Sequence, residues 1–151
     1  VAIQSDGKIV MAGYSNNGAN YDFAVVRYNN FCSPLSTPIC LVTLGTSYTK
    51  NLITWEKPVT TGIDSFRLYR LIGSVYQKVG SVSYDSLSEF VDSSFNISTS
   101  SARYKISVID TCGNESALSP YHQTIFQQQS QLVGGDVNLT WSLYFDSANS
   151  N

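Results

Sequence analysis

The stretch that most restricts the fold is Leu52-Ile53-Thr54-Trp55-Glu56-Lys57-Pro58. On an extended chain Ile53 and Trp55 point to one face, and Leu52, Thr54 and Glu56 to the other. A Trp on the apolar face buries a large area only beneath a second layer, and Pro58 removes a ladder donor and ends the strand. The segment therefore reads as the inner face of one sheet of a two-sheet sandwich.

Composition agrees. Ten tyrosines stand among many Ser, Thr, Asn and Gly residues, which favours short strands and polar turns. No window of a dozen residues keeps an apolar period of 3.6, so no long helix is expected and the class is all-β. A chain of 151 residues has room for one good core and some additions.

Net charge is −2 and the nine Lys and Arg are scattered singly, so no basic stripe for phosphate backbones is visible and nucleic acid is not expected as a partner. No run of 18 apolar residues is present, so no membrane span is expected in this segment. The first residue is Val and the last strand-like pattern stops midway. The chain reads as a segment of a longer protein, with any targeting signal outside it.

Residues 1–29 read as a unit of two or three strands. Ser5-Asp6-Gly7 is a turn before Lys8 to Tyr14, and Asn16 to Asn20 precede Tyr21 to Tyr28. Asp6-Gly7-Lys8-Ile9-Val10 with Ala12-Gly13-Tyr14, Asp22-Phe23-Ala24 and Arg27-Tyr28 resembles one delta-60 repeat. Such repeats, found in tandem on exported bacterial proteins, are thought to form β-propeller blades. One copy closes no propeller, so a hairpin in need of neighbours is expected.

Residues 30–38, with two Pro and two Ser, read as a linker. From 39 to 127 strands recur at short spacing, around 39–43, 51–56, 63–70, 76–82, 89–92, 104–110 and 121–126. Phe66 and Leu68 share a face, as do Tyr104, Ile106 and Val108, with Lys105 and Ser107 opposite. Together with Ile53 and Trp55 they make up the expected core. These residues, followed by Gly113-Asn114-Glu115-Ser116 and Ser119-Pro120, resemble a fibronectin type III domain, a seven-stranded immunoglobulin-like sandwich. The resemblance places Tyr104 at the tyrosine corner, its hydroxyl bonded back to upstream backbone. Residues 128–151 repeat the pattern in Val137-Asn138-Leu139-Thr140-Trp141 and read as the start of a second, truncated sandwich, either disordered or laid on the first.

The three cysteines, Cys32, Cys40 and Cys112, form no Cys-x-x-Cys pair, so no zinc site is expected. Most fibronectin type III domains lack Cys40 and Cys112. The topology that the resemblance implies sets these two at one pole, where a disulfide between them is expected, worth roughly 4 kcal/mol in the chain-entropy model; Cys32 is the competing partner.

Catalysis is not expected. His122 has no nucleophile in an elbow and reads as a strand surface residue. Asp85, Glu89 and Asp92 read as charges guarding an edge strand rather than a carboxylate pair across a cleft. Asn17, Asn20 and Asp22 lack the density of a calcium loop, and no cofactor is implied.

The expected role is a non-catalytic spacer and adhesion module of a secreted or cell-surface bacterial protein, of the kind exported by Bacteroidota. Its contacts would be with neighbouring domains and an extracellular protein or glycan. Thr111, Gly113, Asn114 and Glu115 form the candidate binding loop. The alternative is an accessory domain of a secreted hydrolase whose catalytic domain lies elsewhere.

Overall fold

The computed structural model describes residues 1–4, 8–16, 18–28, 34–46, 49–131 and 133–146. The Ser5-Asp6-Gly7 turn, Asn17 and residues 29–33, which include the first part of the expected 30–38 linker, lie outside them. The chain divides into two compact units, Val1–Cys32 and Ser33–Asn151.

The first unit is a three-stranded antiparallel meander of β1 (Ala2–Ile3), β2 (Ile9–Asn16) and β3 (Tyr21–Tyr28). Its β2–β3 register sets Tyr14 opposite Phe23 and Ala12 opposite Val25 on one face, and Met11 opposite Val26 on the other. Residues opposed across such a pair share a face, so both faces are apolar. Both are also open, with Tyr14 and Phe23 each 78% exposed and Met11 and Val26 exposed too.

The second unit is an all-β sandwich. One sheet holds β4 (Ile39–Leu44), β5 (Asn51–Trp55) and β8 (Glu89–Asp92) in the order β4-β5-β8. The facing sheet contains β6 (Ile63–Ile72), β7 (Val75–Ser83), β9 (Arg103–Asp110), β10 (His122–Gln123) and β13 (Phe145–Asp146), ordered β13-β10-β9-β6-β7. All pairings are antiparallel. Gly73 takes φ 65° in the tight β6–β7 turn, a conformation that suits a two-residue hairpin. A separate hairpin pairs β11 (Gln127–Gln131) with β12 (Val137–Trp141).

The core lies between the two sheets. Ile53 and Trp55 on β5 meet Phe66 and Leu68 on β6, and Tyr104, Ile106 and Val108 on β9, all at most 4% exposed. The rings of Trp55 and Phe66 are 5.2 Å apart and tilted. Each such apolar side chain contributes about 1.5–3 kcal/mol of transfer free energy. Trp55 Nε1, buried among these groups, has no hydrogen-bond partner, so the indole is held by packing at the cost of a lost donor.

A polar cluster sits in the same layer. The Tyr104 hydroxyl donates to Asp92 Oδ2 at 2.8 Å and accepts from Asn51 Nδ2 at 3.0 Å. Arg70 pairs with the same carboxylate, and Ser94 donates to Asp92 Oδ1 through both its N–H and its hydroxyl. Two expectations are corrected here. The Tyr104 hydroxyl reaches side chains rather than upstream backbone, and Asp92, 1% exposed, is an interior anion rather than a solvated edge guard.

The seventh strand is shorter than expected, two residues instead of six. In its place three hydroxyl side chains clasp β9 one after another. Ser116, Ser119 and Thr124 each donate a backbone N–H to the carbonyl of Val108, Ile106 and Ala102 respectively. Each hydroxyl then accepts the N–H of that same residue, Val108 and Ile106 on β9 and Ala102 just before it, at 2.8–3.0 Å. Side-chain oxygens thus replace missing ladder carbonyls and leave the buried donors satisfied.

Two outcomes are expected. Tyr104→Phe leaves the Asn51 amide and Asp92 each one partner short, and urea unfolding should show a loss of about 1–3 kcal/mol; an unchanged midpoint contradicts this account. A Cβ on Gly80 would overlap the Phe90 ring, so Gly80→Ala should destabilise by about 1–3 kcal/mol, and adding Phe90→Leu should recover part of that loss.

Candidate functional site

The expected binding loop is built from Asp110 outward. Its Oδ1 accepts the backbone N–H groups of Cys112 at 2.9 Å and Asn114 at 2.8 Å, and its Oδ2 accepts from Asn114 Nδ2 at 3.1 Å. Gly113, at φ 85°, closes the turn. Thr111 N–H donates to Gly62 O, tying the loop to the turn before β6. Burial pushes the Asp110 carboxyl upward, but the hydrogen bonds from Asn114, Cys112 and Gly113 outweigh it and hold it below the ordinary carboxylate range. Thr111, Gly113 and Asn114 are exposed.

Glu115 does not share that loop tip. It folds back over the outer face of the five-stranded sheet, where its carboxylate accepts from Arg67 Nη1 and the Tyr69 hydroxyl, each at 2.5 Å, and from the Ser107 hydroxyl at 2.6 Å. Burial raises its pKa, and the bonds from Ser107, Tyr69 and Arg67 more than offset that, leaving it lowered. As a paired anion on a sheet face it organises its neighbours and offers little to a ligand.

The expected sulfur clamp is also corrected. Cys40 is exposed and its thiol is free, so it is not bonded to Cys112. Alternation along β4 turns Cys40 outward between the buried Ile39 and Val42, across the bulge between Ile39 and Leu41. The competing partner, Cys32, lies outside the described residues.

His122, the one histidine of the chain, is 1% exposed and not the surface residue expected. Its register with Tyr104 turns it inward. Its Nδ1 lies 2.8 Å from the Tyr144 hydroxyl. Its Nε2 lies 3.1 Å from Asp146 Oδ1, an ion-pair distance without hydrogen-bond geometry. The Tyr144 hydroxyl also interacts with the backbone of Val42 on β4, so one side chain from the C-terminal segment ties both sheets together. Burial lowers the His122 pKa, and Asp146 only partly opposes it.

A groove of about 620 Å³ opens beside this tie. Val42, Leu44, Phe95 and Ile97 supply apolar wall and Gln127 and Gln129 an amide rim. Trp141 faces Gln127 across the β11–β12 pair and is 65% exposed. None of the described lining residues is charged.

One surface was not legible beforehand. The basic residues look scattered along the chain, yet the register gathers four of the nine on one sheet face. Lys105, Tyr69 and Lys78 stand in one cross-strand file, Ser107 and Arg67 in the next, and Arg103 pairs with Gln123. All alternate with the buried Tyr104, Ile106 and Leu68 and so face outward. The Arg103 guanidinium lies 5.0 Å from the Tyr121 ring centre and its Nε donates to Gln123 at 2.7 Å. The Lys105 ammonium lies 4.9 Å from the Tyr76 ring centre. Glu115 neutralises Arg67. Among the described residues no carboxylate pairs with Lys78, Arg103 or Lys105.

No group of three metal-ligating side chains is found among the described residues, and none of their helices is long and apolar enough to cross a membrane.

A family model described as a β-propeller domain of unknown function, DUF5122, matches residues 4–30. Over those residues the first unit is similar to a propeller-type repeat. No curated protein matches the chain. Similar solved structures include a fibronectin type III-like protein from Clostridium thermocellum, 18% identical at a TM-score of 0.46, covering 59% of this chain and 90% of that one. A β-1,2-glucanase from Parabacteroides distasonis is 20% identical at 0.49, over 72% of this chain and 16% of that one. The fibronectin type III domain of human contactin 1 is 12% identical at 0.36, over 79% and 87%. The immunoglobulin-like sandwich of the second unit stands on its own strand order and core.

His122 sets an expected pH dependence. Its folded-state pKa is lowered, so its contribution is complete above the ordinary histidine value near 6.5 and is lost as pH falls from there toward the folded value. Urea midpoints should drop between pH 7.5 and 5.5, and His122→Gln should flatten that interval; an equal drop in the variant removes His122 as the cause.

Proposed function

We propose that this chain is a non-catalytic spacer and adhesion module of a secreted or cell-surface bacterial multidomain protein, in contact with extracellular protein or glycan. The observation that carries the reading is the first unit, whose two apolar faces are both uncovered. A sheet with apolar residues on both sides is stable when layers cover both, as neighbouring blades of a propeller do. Such a unit works as one section of a larger assembly.

The sandwich of the second unit supports the same reading. Its buried Asp92 carboxylate is answered from within the unit and its core is closed between two sheets, so it stands as a self-sufficient body able to hold its neighbours apart. The outward chemistry that remains is a flat, basic and aromatic sheet face and an uncharged groove, both of which suit contact with a partner.

The test has two parts. Antibody to the segment should label intact source cells, and brief protease treatment of those cells should remove the label; a signal found only after lysis sinks the surface role. The purified chain, applied to arrays of glycans and matrix proteins, should retain at least one class; retention of none leaves a spacer without adhesion. Release of reducing sugar from any arrayed glycan would turn the reading from adhesion to hydrolysis.

A further inference from the structure

We infer that the outer face of the five-stranded sheet binds an acidic polysaccharide, gripping its anionic groups with Lys78, Arg103 and Lys105. The inference rests on the surface-protein reading and names the class of glycan.

The first ground is charge. The chain carries a net charge of −2, yet this one face holds three cations without a carboxylate partner among the described residues. Segregation of one sign against the overall balance marks a surface for the opposite sign. Lys105 and Lys78 flank Tyr69 in one file, two strand spacings or about 10 Å apart, and Arg103 lies one alternation along β9 from Lys105. The cations form a short track across the sheet.

The second ground is order. Arg103 is held over Tyr121 and fixed through Nε by Gln123, while Lys105 is held over Tyr76. Long basic side chains normally lose rotamer freedom on binding. These two are already placed, and the Tyr121 ring that holds Arg103 is itself stacked on Phe145 at 5.0 Å.

The sparseness of the track selects the polyanion. Duplex nucleic acid carries a charge about every 1.7 Å, and its affinity comes from many phosphate contacts at once. Three cations on a protein of net negative charge match a strand with roughly one acid group per sugar far better. Glu115 strengthens the selection. By holding Arg67 in an ion pair on the same face, it limits the track to three cations and repels densely charged strands.

The experiment is affinity electrophoresis of the full chain in gels containing polygalacturonate, dextran sulfate or neutral dextran, with fluorescence anisotropy against a labelled single-stranded oligonucleotide. Retardation is expected with polygalacturonate or dextran sulfate, the two arms deciding whether carboxylate or sulfate is preferred, and none with dextran. Affinity should fall as salt rises, with a log–log slope of about 2–3, one unit or slightly less per cation released. The triple variant Lys78→Gln, Arg103→Gln, Lys105→Gln should bind at least tenfold more weakly with an unchanged urea midpoint, and Lys8→Gln with Lys57→Gln should bind as the parent does. Equal retardation by dextran, full binding by the triple variant, or oligonucleotide binding as tight as polysaccharide binding would each overturn the inference, as would no binding to any acid polymer. Failure of the surface role shows separately, as label found only after cell lysis.

Discussion

The second unit depends on its most deeply buried anion, Asp92, being fully answered. Asp92 lies at the inner edge of the three-stranded sheet with 1% of its surface exposed, where an isolated carboxylate would cost several kcal/mol. Burial pushes its pKa up, but bonds from Ser94, Arg70 and Tyr104 outweigh that and leave it lowered, so it is ionised at neutral pH. The four groups around it come from four places in the chain. Asn51 opens β5, Arg70 lies on β6, Ser94 follows β8 and Tyr104 begins β9. Arg70, Ser94 and Tyr104 reach the carboxylate, and Asn51 the Tyr104 hydroxyl, only when both sheets are in register, so the network tolerates a single arrangement of the sandwich. The same burial, with Asp92 adding to it, raises the Tyr104 pKa, which keeps the hydroxyl protonated and donating.

Around that network the structure solves a second problem, the irregular return after β9. Pro120 and the short β10 prevent a full seventh strand from pairing along β9. The hydroxyl clasps from Ser116, Ser119 and Thr124 supply acceptors where ladder carbonyls are missing. β9 is therefore held on both sides, by β6 along its length and by these clasps, and six of its eight residues are buried. Two of the three track cations, Arg103 and Lys105, are outward alternates of this doubly held strand, and Lys78 stands on β7. The candidate loop after Asp110 inherits the same support through its own carboxylate turn.

Much of this was legible beforehand, because period-two alternation reports which side of a strand is apolar. Ile53 with Trp55, Phe66 with Leu68, and the three inward residues of β9 follow from that rule alone. It fails where side chains cross from one element to another. Glu115 reads as a loop residue, yet its three partners lie on β6 and β9. Asp92 and His122 read as surface polar groups because nothing near them in the chain announces Arg70 or Tyr144. Cysteine spacing is equally silent about direction, and Cys40 faces outward.

Local patterning thus settled the β class, the first six strands of the sandwich and their inward-facing apolar residues, since each depends on neighbours two to four positions away. The grouping of Lys78, Arg103 and Lys105, the answering of Asp92 and the burial of His122 were settled by register and sheet order. Those are long-range quantities. They depend on which strand lies beside which, and no pattern within a single strand carries that information.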